Sequence, residues 1–238
     1  GLVDVFVHVT EQYLTYPVGA VVQDRQAEAI LMALIDLAPS ALQMPPDYTA
    51  RANYMWSATC ALNHTLNRGV PQDWATHEIG HELTALYGLD HAETLAAVLP
   101  WLLWYKRKQK QAKLLQYGYR VFGLRTQKYE DRVNQTIEAT AAFFHSLGMP
   151  TTLTAYGIDP EEAAQKVQAR GKAPVGVWRT QRHHRKRRRR DSAPEPLGFF
   201  PQLTQNHPHS GWFFALTAER SRLPEVVTNR APSGALIG

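Results

Sequence analysis

The 238-residue sequence contains a single cysteine, Cys60. A lone thiol excludes both an internal disulfide framework and a zinc ribbon built from cysteines. No run of eighteen apolar residues occurs and no signal-peptide pattern opens the chain. The expectation is therefore a soluble, cytoplasmic protein without a membrane partner. Period-two alternation of the kind that marks strands is missing from residues 1–176, as are a G-x-G-x-x-G fingerprint and a P-loop. With 44% apolar residues the chain can still bury one large core. It begins at Gly1 rather than Met, already inside a helical pattern, which suggests a fragment or a processed piece.

The net charge of +5 is unevenly spread. Residues 177–238 carry 11 Lys/Arg and 4 Asp/Glu, leaving 15 basic and 17 acidic side chains to residues 1–176. The basic character thus belongs to the tail and is no argument for a nucleic-acid-binding body. From Val177 onward helical periodicity stops, and Arg179 to Arg190 form a basic run followed by scattered Pro, Ser, Gly and Asn. Residues 1–176 are expected to form one domain and 177–238 an irregular tail. The tail reads either as a disordered basic segment able to meet nucleic acid or as frameshifted or appended sequence.

The body reads as all-α. Val3, Phe6, Val7, Val9, Tyr13 and Leu14 recur at helical spacing over residues 2–15, before Pro17 and Gly19. Residues 22–37 repeat the pattern through Ala27, Ile30, Leu31, Leu34 and Ile35, with Pro39 as the stop. Asp47 suits the N-cap of a helix over 48–67, and Asp73 that of one over 74–87 stopped by Gly88. A helix from near Ala92 runs through Leu95–Leu103, where Pro100 predicts a kink. A basic segment at 106–113 leads to an amphipathic piece ending at Phe122. Further helices are expected over 127–147 and from Pro160 to about Arg170, the latter opened by Asp159 and the acids Glu161 and Glu162. Cys60, beside Trp56, Ala61 and Leu62, reads as a core thiol of a buried helix rather than a nucleophile. The sum is a helical bundle.

Chemistry concentrates between His77 and His91, where three histidines and three carboxylates fall within fifteen residues. The first five spell H-E-x-x-H, in which His77 and His81 could grip zinc while Glu78 serves as base of a metallopeptidase. That alternative lacks a third ligand: Thr84 and Tyr87 stand where a metzincin needs Gly and His, Glu93 is too close, and Glu130 and Glu138 have no supporting motif. A second geometry fits better. Asp4 and His8 stand at i and i+4 within an apolar helix, where an isolated charge needs a partner or a metal. With His77 and His91 they would supply one carboxylate and three imidazoles, a set suited to Fe(II) or Zn(II) with a position open for a substrate oxygen. Taken singly, each histidine could equally be a core or surface residue.

Several separated segments occur in a recognisable order: Val3 to His8, Gly69 to His77, Gly80 to Ala92, Val98 to Pro100, Ala112 to Tyr117, Phe143-Phe144, and Leu147 to Pro150. Together they resemble the iron-containing (group III) alcohol dehydrogenases, nearest the NADPH-dependent aldehyde reductase and butanol dehydrogenase branch, over residues 1 to about 176. The resemblance implies the all-α C-terminal half of that fold. It implies Asp4, His8, His77 and His91 as ligands of Fe(II) or Zn(II), and His81 as a non-ligand beside the nicotinamide and substrate. It further implies NADP or NAD as coenzyme, a small alcohol or aldehyde as substrate, and a homodimer. The family's Rossmann-like half would precede residue 1, and the family's closing helices would continue where the basic tail begins, which is what suggests a frameshift. Nucleic acid would enter only through that tail.

Overall fold

A computed structural model describes residues 1–170. The boundary expected at residues 176/177 and the basic run Arg179–Arg190 lie outside the described residues. Eight α-helices are described: α1 Leu2–Tyr13, α2 Val21–Leu42, α3 Tyr48–Leu62, α4 Ala75–Tyr87, α5 His91–Lys106, α6 Gln111–Arg120, α7 Tyr129–Ser146 and α8 Pro160–Ala169. A 3₁₀ turn at Thr154–Tyr156 precedes α8. No strand occurs among the described residues. None of the described helices is long and apolar enough to cross a membrane.

Helix α1 is the axis of the bundle and touches α2, α3, α4 and α5. A helix surrounded on most sides is buried nearly all round, and α1 is: every residue from Leu2 to Tyr13 is buried except Asp4 and His8, with Thr10, Glu11 and Gln12 the buried polar ones. Phe6 lies against Phe143 and Phe144 of α7 at ring separations of 4.8 and 5.7 Å. A second, smaller core joins Ile79 and Leu83 of α4, Ala97 and Val98 of α5, and Ala163, Ala164 and Val167 of α8. The site-bearing helices α1, α4 and α5 are therefore held from both sides. Trp101 adds a tie from α5 to the segment after α7 by donating its indole N–H to the Thr151 carbonyl at 3.0 Å.

Most expected helices are found, and the departures have local causes. Pro39 does not end α2, which continues to Leu42. Its apolar face runs on through Ala38 and Ala41, both buried, while Pro39 itself is exposed. Continued burial there outweighs the one backbone bond the ring removes. Pro100 lies inside α5, which runs on past it to Lys106 as expected. Helix α3 stops at Leu62, five residues short of the expected 67: Asn63 accepts from the Thr65 N–H at 3.1 Å and His64 turns left-handed at φ 68°. The expected buried helix around Cys60 is not found. Cys60 is half-buried, and Trp56 and Leu62 face outward, leaving Ala61 as the buried neighbour.

A polar network seals α6 onto α1 and α2. Glu28 is buried, and its carboxylate accepts from the Tyr13 hydroxyl (2.8 Å), Gln116 (2.7 Å), Arg120 (2.9 Å) and Arg25 (3.0 Å). Lys113, also buried, bonds Asp24 at 2.8 Å and stands 4.0 Å over the Tyr13 ring. Buried charges persist only where each is answered this way.

Candidate metal centre

Helical spacing puts Asp4 and His8 on the one strip of α1 that reaches partial exposure. Helix α4 brings His77 to the same place, and the start of α5 brings His91. Asp4 Oδ1 lies 3.4 Å from His8 Nε2, 3.4 Å from His77 Nε2 and 3.9 Å from His91 Nε2. In Asp4, His8 and His77 one ligand atom each falls within 4.8 Å of the others. His91 joins at the edge, its ring 5.3 Å from that of His77. Trp74 walls the cluster, 5.3 Å edge-on to both His8 and His77.

These separations exceed those of charge-assisted hydrogen bonds, about 2.7–2.9 Å. Two donors each about 2.1 Å from one tetrahedral ion would stand roughly 3.4 Å apart, the separation of Asp4 from His8 and from His77, with His91 slightly farther at 3.9 Å. The protonation preferences differ among the four residues. Burial, with His77 nearby, drives His8 down to about 4, leaving a neutral imidazole. His91 is also pushed down, by burial first and by His77 and His81 against the pull of Asp4. Burial raises Asp4, yet the hydrogen bond to His77 and the surrounding histidines hold it below its ordinary value. His77 goes the other way. Burial alone would lower it, but hydrogen bonds to Asp4 and Glu11 and their charges bring it up to about 9. At a pKa of about 9 the ring holds a second proton at neutral pH, which a metal ion would have to displace from Nε2.

Two residues near the centre escaped sequence reasoning. Glu11, buried at the far end of α1, meets His77 Nδ1 at 2.5 Å and accepts from the Thr76 backbone N–H. Its signal was available: Glu11 continues the strip of Asp4 and His8 at i+7. Gly80 has no chemistry of its own. A Cβ there would meet Thr94 Oγ1 at 2.9 Å and Leu95 Cδ2 at 3.0 Å, with His91 Cε1 at 3.7 Å, so glycine sets how closely α4 and α5 approach. Gly80→Ala is expected to lower stability by about 1–3 kcal/mol, the usual cost of overpacking. Denaturant titration of the two proteins checks this, and an unchanged midpoint would refute the close fit.

The zincin geometry is not formed. Nε2 of His77 faces Asp4 and Nδ1 faces Glu11, so neither nitrogen turns to His81. The His77 and His81 rings are 6.4 Å apart, against 4.2 Å for His77 and His8. His81 is exposed and stacks on His91 at 4.7 Å with 14° between planes. Glu78 is raised to about 7 by burial and by the charges of Glu11 and Asp73. Asp73, expected as the cap of α4, approaches the Ala75 N–H only at 3.3 Å because its other oxygen is taken by Lys110 at 2.8 Å.

The described domain is all-α and gathers one carboxylate and three imidazoles at the meeting of three helices. Residues 1–178 match the family described as Fe-containing alcohol dehydrogenase family, C-terminal, and the chain belongs to that family. It is 56% identical over 159 residues to the NADPH-dependent aldehyde reductase YqhD of Escherichia coli (strain K12), covering 67% of this chain and 41% of that protein. Among solved structures, the substrate- and cofactor-free aldehyde reductase YqhD from E. coli superposes with a TM-score of 0.70 at 50% identity, over 74% of this chain and 47% of that one. The NADH-dependent butanol dehydrogenase A of Thermotoga maritima gives 0.67 at 30% identity, over 74% and 45%. The chain thus spans about two-fifths of the length of its curated relative.

Proposed function

We propose that the chain forms the metal-binding part of an NAD(P)-dependent alcohol dehydrogenase or aldehyde reductase. Asp4, His8, His77 and His91 would hold one Fe(II) or Zn(II) ion. The observation that carries this is the gathering of three imidazole Nε2 atoms within 3.4–3.9 Å of one carboxylate oxygen, on helices up to 87 residues apart in sequence. Such an ion supplies Lewis-acid polarisation of a carbonyl or alkoxide oxygen while hydride passes between the substrate carbon and a nicotinamide. Neutral His8 and His91 offer lone pairs, and Asp4 supplies negative charge. Trp74 restricts water on one side. His81, exposed and stacked on His91, would touch nicotinamide and substrate and could pass a proton between solvent and the substrate oxygen. The family and the named relatives favour an alcohol or aldehyde as the substrate. Relatives named for NADPH and for NADH leave both coenzymes in the proposal.

Metal removal tests it. The chain equilibrated with Zn2+ or Fe2+ is expected to retain one equivalent after gel filtration and to release it to a strong chelator. In a chimera carrying the N-terminal half of the E. coli relative ahead of residue 1, aldehyde-dependent NADPH oxidation should fall at least tenfold on chelation and return on re-addition of metal. Binding that survives in His91→Ala and Asp4→Ala together would sink the site assignment. Glu78→Gln should change turnover less than twofold, whereas a peptidase base would be indispensable.

A further inference from the structure

We infer that Glu11 is a positioning residue of the metal centre, one carboxylate that both caps α4 and fixes the ring of His77. The inference rests on the metal-centre proposal above. Helix α4 begins without a cap of its own. Its N-cap residue is Trp74, whose indole is a donor only and gives its N–H to Gln72 at 2.6 Å. Two first-turn amides of α4, those of Thr76 and His77, are answered from another helix. Glu11 accepts from the Thr76 N–H and, at 3.4 Å, from the His77 N–H. The same carboxylate meets His77 Nδ1 at 2.5 Å.

Glu11 is 5% exposed, and among the described residues its ion-pair partner is His77 rather than a lysine or arginine. Burial pushes the Glu11 carboxyl up, opposed by its hydrogen bonds with His77 and Thr76. Its position is therefore tied to both partners at once. Both Glu11 oxygens already accept α4 backbone N–H groups, so the carboxyl faces the ring as an acceptor and His77 Nδ1 carries the proton. The ring then gives its Nε2 lone pair to the place shared by Asp4 and His8. Metal-ligating histidines are commonly oriented in this way by a carboxylate on the other nitrogen. Glu11 also lies on α1, the helix of Asp4 and His8. It fastens the third donor to the helix that bears the first two, across 66 residues of sequence.

Glutamine cannot do both jobs. If its oxygen accepts from Thr76, its NH2 faces Nδ1 and forces the ring proton onto Nε2, aimed at the ion. If it flips, two donors confront each other at the α4 amides. Glu11→Gln in the full chain is expected to weaken Zn2+ binding 10–100-fold by competition titration. It should also shift the visible ligand-field bands of the Co2+-substituted protein, which a purely structural cap would leave unmoved. Wild-type binding with Glu11→Gln within twofold of it, and identical Co2+ bands, would overturn the inference. Absence of metal binding by the wild type would instead overturn the metal-centre proposal. Should Glu11→Gln fail to fold, histidine 15N correlation spectra of the zinc-loaded wild type decide the matter. His77 is expected with a strongly deshielded proton on Nδ1 and Nε2 unprotonated, and a proton on Nε2 would refute it.

Discussion

Asp4→Ala is expected to abolish stoichiometric metal binding while leaving the fold in place. Asp4 is the single carboxylate among the four proposed ligands and lies within 3.4–3.9 Å of all three histidines. Losing the one anionic ligand removes several kcal/mol of ion stabilisation, which is roughly a thousandfold in Kd. Little stability should be lost with it. The Asp4 side chain is 36% exposed, so its pairings with the histidines are screened, and the metal-free protein should shift by less than about 1 kcal/mol. Asp4→Asn separates charge from shape. It keeps the volume and one acceptor oxygen and should still lose most of the affinity. Isothermal titration with Zn2+, beside thermal melting without metal, checks both halves. Affinity within tenfold of wild type would place the ion elsewhere.

Glu28→Ala is expected to be the more damaging change to the fold, by about 3 kcal/mol. Glu28 is 2% exposed and answers Tyr13 of α1, Arg25 of its own helix and Gln116 and Arg120 of α6. Removing one partner of a buried ionic network leaves the others desolvated and unpaired, at a typical cost of 3–5 kcal/mol. The lower end applies because Arg25 and Arg120 can turn back to water. The pH dependence has a definite sign. Burial would raise the Glu28 carboxyl, but hydrogen bonds from Gln116, Arg120 and Tyr13 hold it below its ordinary 4.5. A carboxyl depressed in the folded state contributes stability above its unfolded value and loses it as pH falls through the folded one. The wild type should therefore weaken below about pH 4.5 through this group, and Glu28→Ala should lack that part of the acid loss. Urea titrations at pH 7 and pH 3.5 measure it. Equal losses in the two proteins would show that Glu28 is not the acid-sensitive clasp.

The contrast between these two carboxylates shows how far sequence patterns reach. Asp4 was legible because its partner His8 lies four residues on, and that distance is fixed by the helix itself. Glu28 was not. It sits in an amphipathic helix among exposed acids and bases, and its burial depends on α6, some 90 residues later, folding back across it. Pro39 misled for the same reason. A local rule ends a helix at proline, but Ala38 and Ala41 are buried against neighbouring elements and the helix continues. Around Cys60 apolar composition suggested a core helix, yet α3 lies at the edge of the bundle and turns Trp56 outward. His77 and His81 looked paired because they are close in sequence. The two nitrogens of His77 were instead claimed by Asp4 and Glu11, from the other end of the domain.

Sequence alone determined the helical class, most helix boundaries to within a few residues and the family resemblance, and through that resemblance it named the four candidate ligands. Each depends on short-range periodicity or on motifs that can be read in place. The tertiary structure alone decided which faces of those ligands meet. It decided that Glu11 joins Asp73 at the start of α4 and that Gly80 sets the spacing between α4 and α5. Those outcomes depend on side-chain directions across contacts 60 to 90 residues apart, which a 3.6-residue period does not encode and only the packing of α1 against α4 and α5 fixes.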